Sequence, residues 1–214
     1  MIKLQHVLKA YDNSVVYDNF NLDIEGGKIF TLLGESGSGK TTLLNIIAKL
    51  VDFSGTIDGV DYPLSFIFQN DRLVKTMTTE QNIRLVAKDA DVKHYFEKFG
   101  LKGCENKYPK ELSAGMARRV SILRAFLFDS NVILMDEPFI NLDIKVKYAL
   151  MDEIKFLQKQ MSKTVVFVTH DIDEALYLSD RIAILNRGNI VYDKQNSVDK
   201  KEILKGEILS QFLK

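Results

Sequence analysis

The sequence predicts an α/β fold: a mainly parallel sheet core, an antiparallel β part at the N-terminus and an inserted helical subdomain over about 71–128, all in one domain spanning 1–214. Three observations predict it. Lys28-Ile29-Phe30-Thr31-Leu32-Leu33 is a short apolar run after the turn Gly26-Gly27; a glycine-rich loop follows, then Leu43, Leu44, Ile46, Ile47 and Leu50 at helical spacing. Asn131 to Asp136 is apolar nearly throughout and Thr164 to Thr169 is β-branched, the composition of strands covered on both faces. From Asp71 to Phe128 the helical period takes over.

In chain order, residues 2–8 and 20–24 alternate enough for strands, with Asn13-Ser14 and Glu25-Gly26-Gly27 as turns. Gly55 to Gly59 reads as a short strand between turns, and Ser65-Phe66-Ile67-Phe68 as an apolar strand ending at Gln69. Val92, Tyr95, Phe96 and Phe99 fall at i, i+3, i+4 and i+7, one face of an amphipathic helix. Met116, Val120, Leu123 and Leu127 mark a second helix beginning near Ser113. Val146, Leu150, Ile154 and Leu157 place another between the two buried strands. Arg181 to Leu185 and Ile190 to Tyr192 flank Asn186-Arg187-Gly188-Asn189, a hairpin pattern, and the tail 198–214 reads as helix.

The loop Gly34-Glu35-Ser36-Gly37-Ser38-Gly39-Lys40-Thr41-Thr42 fits G-x-x-x-x-G-K-[ST] with Gly34, Gly39, Lys40 and Thr41 in register. Glycines let backbone N–H groups converge on phosphate oxygens, and the following helix N-terminus favours negative charge. Lys40 adds a full charge at the β- and γ-phosphates, and the Thr41 hydroxyl is a hard oxygen ligand for Mg²⁺. The bland alternative is a glycine-rich turn between a core strand and a core helix. Strand, loop and helix together favour a nucleotide.

Composition narrows the partners. The 214 residues suit one domain with a sizeable core. Lys plus Arg equals Asp plus Glu at 29 each, which gives no long-range pull on nucleic acid. A single cysteine, Cys104, excludes an internal disulfide and reads as a small loop residue. The first residues lack the apolar run of a signal peptide, and no stretch approaches the ~20 apolar residues that span a bilayer.

Asp136-Glu137-Pro138 closes the buried strand, where ligand groups gather in open α/β sheets. Asp136 can hold Mg²⁺ through water, and Glu137 can polarise an attacking water. Read alone, the pair is equally two acids leading into a proline turn. Tyr11 is by itself an ordinary half-buried aromatic, although a ring beside a nucleotide can stack on the base.

Taken in order, these marks resemble the ATP-binding cassette (ABC) ATPases, a P-loop NTPase family. They are the loop at 34–42, Gln69 after a strand, and Leu112-Ser113-Ala114-Gly115-Met116 opening a helix. Val132 to Pro138, Asn141-Leu142-Asp143, and His170 after a strand complete the series. The resemblance implies that Tyr11 stacks on adenine and that Gly34, Glu35, Ser36, Gly37, Ser38, Gly39, Lys40, Thr41 and Thr42 cradle the phosphates. It implies Mg²⁺ held by Thr41, Gln69 and Asp136, with Glu137 as general base and Gln69 and His170 completing the catalytic set. Ser113, Ala114 and Gly115 would contact the ATP held by a second subunit, with Asp143 at the seam of a head-to-tail homodimer or a pair of related ATPases. The implied partners are ATP, integral membrane permease subunits and a substrate-binding protein, without nucleic acid. The implied location is peripheral, on the cytoplasmic face of the cell membrane. One position departs from the pattern: the family has Gly-Gly where Ala114-Gly115 stands, and if φ there is positive a Cβ costs about 1–2 kcal/mol.

Met116, Phe139 and Val168 to Ala175 are similar to importers of nitrate, sulfonate, taurine and thiamine precursors. An ATPase serving an exporter or a lipoprotein- or division-type complex shares the motifs, though Phe139 speaks against it. DNA-repair relatives split their nucleotide motifs with a long coiled coil, and ribosome-associated ones carry two cassettes. A small-molecule kinase would leave Ser113 to Gly115 and His170 without a role.

Overall fold

The computed structural model describes every residue except Asn13, Val198, Lys200, Leu213 and Lys214, so the turn expected at Asn13-Ser14 and the ends of the tail expected as helix lie partly outside the described residues. The elements run β1 (Ile2–Tyr11), β2 (Ser14–Ile24), β3 (Ile29–Leu33), α1 (Lys40–Ile47), β4 (Ser54–Asp58), β5 (Ser65–Ile67), α2 (Thr79–Arg84), α3 (Val92–Lys98) and a 3₁₀ turn Pro109–Glu111. They continue α4 (Ala114–Leu127), β6 (Val132–Asp136), α5 (Ile144–Met161), β7 (Thr164–Thr169), α6 (Ile172–Leu178), β8 (Arg181–Asn186), β9 (Asn189–Gln195) and α7 (Lys201–Phe212).

The main sheet has the order β5-β6-β7-β3-β8-β9, parallel except for the β8–β9 hairpin, and a separate antiparallel sheet has the order β2-β1-β4. The strands β3 and β7 are buried along their whole length because the main sheet is covered on both faces. Leu134, Val166 and Val168 face one way, onto α1 (Leu43, Leu44, Ile46, Ile47) and the antiparallel sheet (Leu4, Val7, Phe20). Ile133, Met135, Val165 and Phe167 face the other way, onto Leu150, Ile154 and Leu157 of α5 and onto Phe96, Phe99, Ile122 and Phe126 of the helical part. Alternate residues thus feed two cores, which is why these strands read as continuous apolar runs. Among the described residues no helix is long and apolar enough to cross a membrane.

Some expectations shift. The first strands are longer than 2–8 and 20–24, because β1 carries register breaks between Leu4 and Ala10, with His6 at φ 51°, that scramble the period-two pattern. Leu50 is not on the core face of α1. The helix ends at Ile47, Lys49 turns left-handed at φ 54°, and Leu50 is exposed. The helical insertion contains a long irregular stretch from Phe68 to Thr78. Ala114 opens α4 behind the N-cap Ser113 and is absent from the described residues with positive φ, so the expected Cβ penalty does not arise. Gly115 is the tighter position: a Cβ there would meet Val146 Cγ1 at 2.8 Å.

Candidate active site

The phosphate loop leaves β3 at the middle of the main sheet. Gly34 N donates to Thr169 O across 3.3 Å, and a Cβ at Gly34 would lie 2.5 Å from Leu185 O, so only glycine fits. Gly39, at φ 109°, is the N-cap of α1, which leaves the first N–H groups of that helix without intrahelical partners. From the first turn the Lys40 ammonium reaches back to donate to Gly34 O and Glu35 O, each at 2.8 Å. Burial pulls its pKa down, and the Glu137 and Asp136 carboxylates pull it back up. Beneath the loop the fully buried Tyr17 hydroxyl donates to Gly39 O at 2.9 Å.

Across the cleft, the parallel pairing of β6 with β7 sets Asp136 opposite Val168. Thr41 Oγ1 donates to Asp136 Oδ1 at 3.0 Å, a bond joining positions 95 residues apart. Burial raises the Asp136 pKa; the Thr41 bond lowers it, Glu137 raises it and Lys40 lowers it. The next residue, Glu137, is left-handed at φ 43°, a conformation held by its N–H donating to Val168 O at 3.1 Å. That turn aims the carboxylate sideways, with Oε2 3.2 Å from His170 Nδ1. Two hard oxygens, Thr41 Oγ1 and the Asp136 carboxylate, meet where burial makes an unpaired negative charge costly, a donor set suited to a divalent cation such as Mg²⁺.

These groups share one cleft of about 500 Å³, lined by Tyr11, Val16, Ser36, Gly37, Gly39, Lys40, Thr41, Thr42, Gln69, Asp136, Glu137, Ile140 and His170. Tyr11 is a half-exposed rim residue with Lys9 Nζ 4.4 Å from its ring centre, and Gln69 is exposed. Gly34, Glu35 and Ser38 do not line this cleft. The first two supply carbonyls to Lys40, and Ser38 faces a second cleft between the loop and the β8–β9 turn. Ser113, Ala114 and Gly115 also lie outside it. Ser113 and Ala114 are exposed, and Ser113 Oγ accepts from Met116 N at 3.3 Å to cap α4. Asp143 is exposed and caps α5 by accepting from Lys145 N at 2.8 Å. Val16, Ile140 and Tyr17 were not anticipated. Ile140 adjoins the named Asn141, but Val16 lies five residues past Tyr11, and the bond from Tyr17 to Gly39 spans 22 residues with no local signal.

Comparison with known proteins places the chain. The family described as "ABC transporter" matches residues 17–140. The chain is 41% identical over 183 residues, covering 83% of its length and 77% of the relative, to "Aliphatic sulfonates import ATP-binding protein SsuB 1" of Pseudomonas savastanoi pv. phaseolicola. It is 40% identical to the protein of that name (SsuB) of Bacillus cereus, covering 92% of this chain and 88% of the relative. Among solved structures it resembles the dimeric post-hydrolysis state of the ATP-binding cassette MJ0796 bound to ADP and Pi, with TM-score 0.77, 29% identity and coverage of 92% and 99%. It shares its fold with cbiO1 from Clostridium perfringens, with TM-score 0.82, 22% identity and coverage of 98% and 93%. The chain belongs to the ABC transporter family and is one of its ATP-hydrolysing subunits.

Proposed function

We propose that the chain is the ATPase of an importer for small organic anions of the sulfonate type, peripheral on the cytoplasmic face of the membrane, working as a dimer that encloses two ATPs beneath a separate permease. All 214 residues then act as one ABC ATPase domain, with the helical part 71–128 inserted. The observation that carries this reading is the convergence of Lys40, Thr41, Asp136, Glu137 and His170 on one cleft, in a chain whose relatives at about 40% identity are named as sulfonate import ATPases.

In this reading adenine stacks on Tyr11, and the loop 34–42 takes the phosphates on its backbone N–H groups. Lys40 exchanges its bonds to Gly34 O and Glu35 O for phosphate oxygens. Thr41, Asp136 and Gln69 would hold Mg²⁺, which would supply charge neutralisation to the phosphates. Glu137 accepts the proton of the attacking water as its oxygen bonds to the γ-phosphorus and ADP departs. His170, braced by Glu137 at 3.2 Å, hydrogen-bonds the transferred group. The exposed Ser113 and Ala114, with the half-buried Gly115 beside them, serve the partner's ATP, with Asp143 at the seam. The helical insertion is the permease's docking face, with a binding protein delivering the anion from the far side and no nucleic acid involved.

Cross-linking in native membranes tests this. Single cysteines at exposed positions such as Lys75, Leu85 and Lys88 are introduced after Cys104→Ala. Capture of an integral membrane protein is expected. Fractionation with ribosomes or DNA, and no such capture, rejects the transporter reading.

A further inference from the structure

Gln69 leaves β5 on a stretch, Phe68 to Thr78, that forms no helix or strand and whose backbone is held largely by side chains. Three of these come from α4. Arg118, 5% exposed, donates from Nη1 to Phe68 O at 2.8 Å and from Nη2 to Gln69 O. Its Nε lies 3.0 Å from Asp71 Oδ1, close enough for an ion pair but not aligned as a hydrogen bond. Ser121 Oγ donates to Asp71 O at 3.1 Å, and Arg124 Nη2 to Arg72 O at 3.0 Å. Burial pushes the Asp71 carboxyl up and both guanidinium groups down, and the opposite charges pull each back. A planar guanidinium spreads five donors over three nitrogens, so Phe68 O, Gln69 O and the Asp71 carboxylate each meet a different nitrogen, whereas an ammonium offers all its donors from one atom.

The same helix begins at Ser113 to Gly115, five residues before Arg118, or about 7.5 Å along the axis. We propose that Arg118 is a positioning residue that locks Gln69 of one ATP site to the helix end serving the other, so that the two sites of a dimer act together. The proposal rests on the roles given above to Gln69 and to Ser113–Gly115. Filling one cleft draws on Gln69, Arg118 hands the displacement to α4, and α4 carries its N-terminus toward or away from the second ATP as a rigid body. Coupling of this kind is reciprocal, so either site sets the other.

The test is steady-state ATPase against ATP concentration for the full chain, Arg118→Met, Arg118→Lys, Gln69→Ala and the double variant Arg118→Gln/Asp71→Asn. The unmodified chain should be sigmoidal, with a Hill coefficient approaching about 2 for two sites. Arg118→Met should lower kcat by about 10–100-fold and bring the Hill coefficient to about 1, with KM moving less than about threefold. The double variant keeps an amide donor for the carbonyls without a buried charge, and should recover both. If Arg118→Met fails to fold, Arg118→Lys carries the test, since it retains the charge but loses the rigid planar fork; its Hill coefficient should fall. An unchanged kcat and Hill coefficient in the Arg118 variants, beside a Gln69→Ala that lowers both, overturns the lock alone. A Gln69→Ala that changes neither sinks the assignment of Gln69, and the lock with it.

Discussion

The two surfaces assigned to ATP are built in opposite ways. On the main sheet, Lys40, Thr41, Asp136, Glu137 and His170 already bond to one another or to the loop across as many as 95 positions of sequence. At the start of α4, Ser113 bonds only within its own helix, and both it and Ala114 face solvent. The first surface is knit together within one chain; the second, in the role proposed for it, is a local motif that acts only opposite another molecule. Chemistry that needs near-attack geometry is preorganised by tertiary contacts. On the proposed function, a surface that must let go after each turnover is carried on a helix end that costs little to uncover.

The sharpest way to break that contrast is Glu137→Gln, which keeps the shape of the finished surface and removes its base. Hydrolysis should fall by roughly 10²–10⁴-fold while ATP still binds. With release blocked, size-exclusion chromatography in ATP should show a dimer for this variant and not for the parent. A monomer under those conditions would detach the two surfaces from each other.

A smaller effect is expected at the unfinished surface. Gly115→Ala drives a methyl to 2.8 Å from Val146 Cγ1 and should destabilise the chain by about 1–3 kcal/mol in urea melts, relieved by Val146→Ala. A neutral Gly115→Ala would mean that the joint of α4 with α5 is looser than its geometry.

An effect of the same size, spread over a pH range, concerns that joint's ion pair. Arg119 Nε donates to both Glu153 oxygens, at 3.0 and 3.2 Å, yet burial outweighs the arginine and pushes the Glu153 carboxyl up to about 7. The folded state then holds the proton more tightly than the unfolded chain. Its contribution is fully present below the ordinary value of 4.5 and is lost as pH rises through about 7. Thermal melts should lose about 1–3 kcal/mol between those limits, and Glu153→Gln should flatten the slope. An identical slope in the variant would assign the pH dependence elsewhere.

The finished surface was largely legible in the sequence because its parts are local: a glycine loop, an acid pair ending an apolar strand, a histidine after another. What escaped is what only folding brings near. Tyr17 meets Gly39 and Arg118 meets Phe68 and Gln69 through bonds between elements, and neither carries a pattern of its own. The breaks in β1 hid part of a strand, and the left-handed Lys49 ended α1 before Leu50. Ala114 departs from its family's pattern, yet its conformation accepts a side chain.

The small antiparallel sheet is not a detachable module. Tyr17 underpins the loop at Gly39, Arg181 Nη1 donates to Asp23 O at 2.7 Å, and the β8–β9 turn sits so close that a Cβ at Gly188 would lie 2.1 Å from Val16 O. The antiparallel sheet that carries Tyr11 and the phosphate loop are therefore one casting. A minimal ATP-binding fragment cannot be cut after Ile24, and a graft that swaps the first two strands between relatives must carry the Gly39 and Gly188 turns with it.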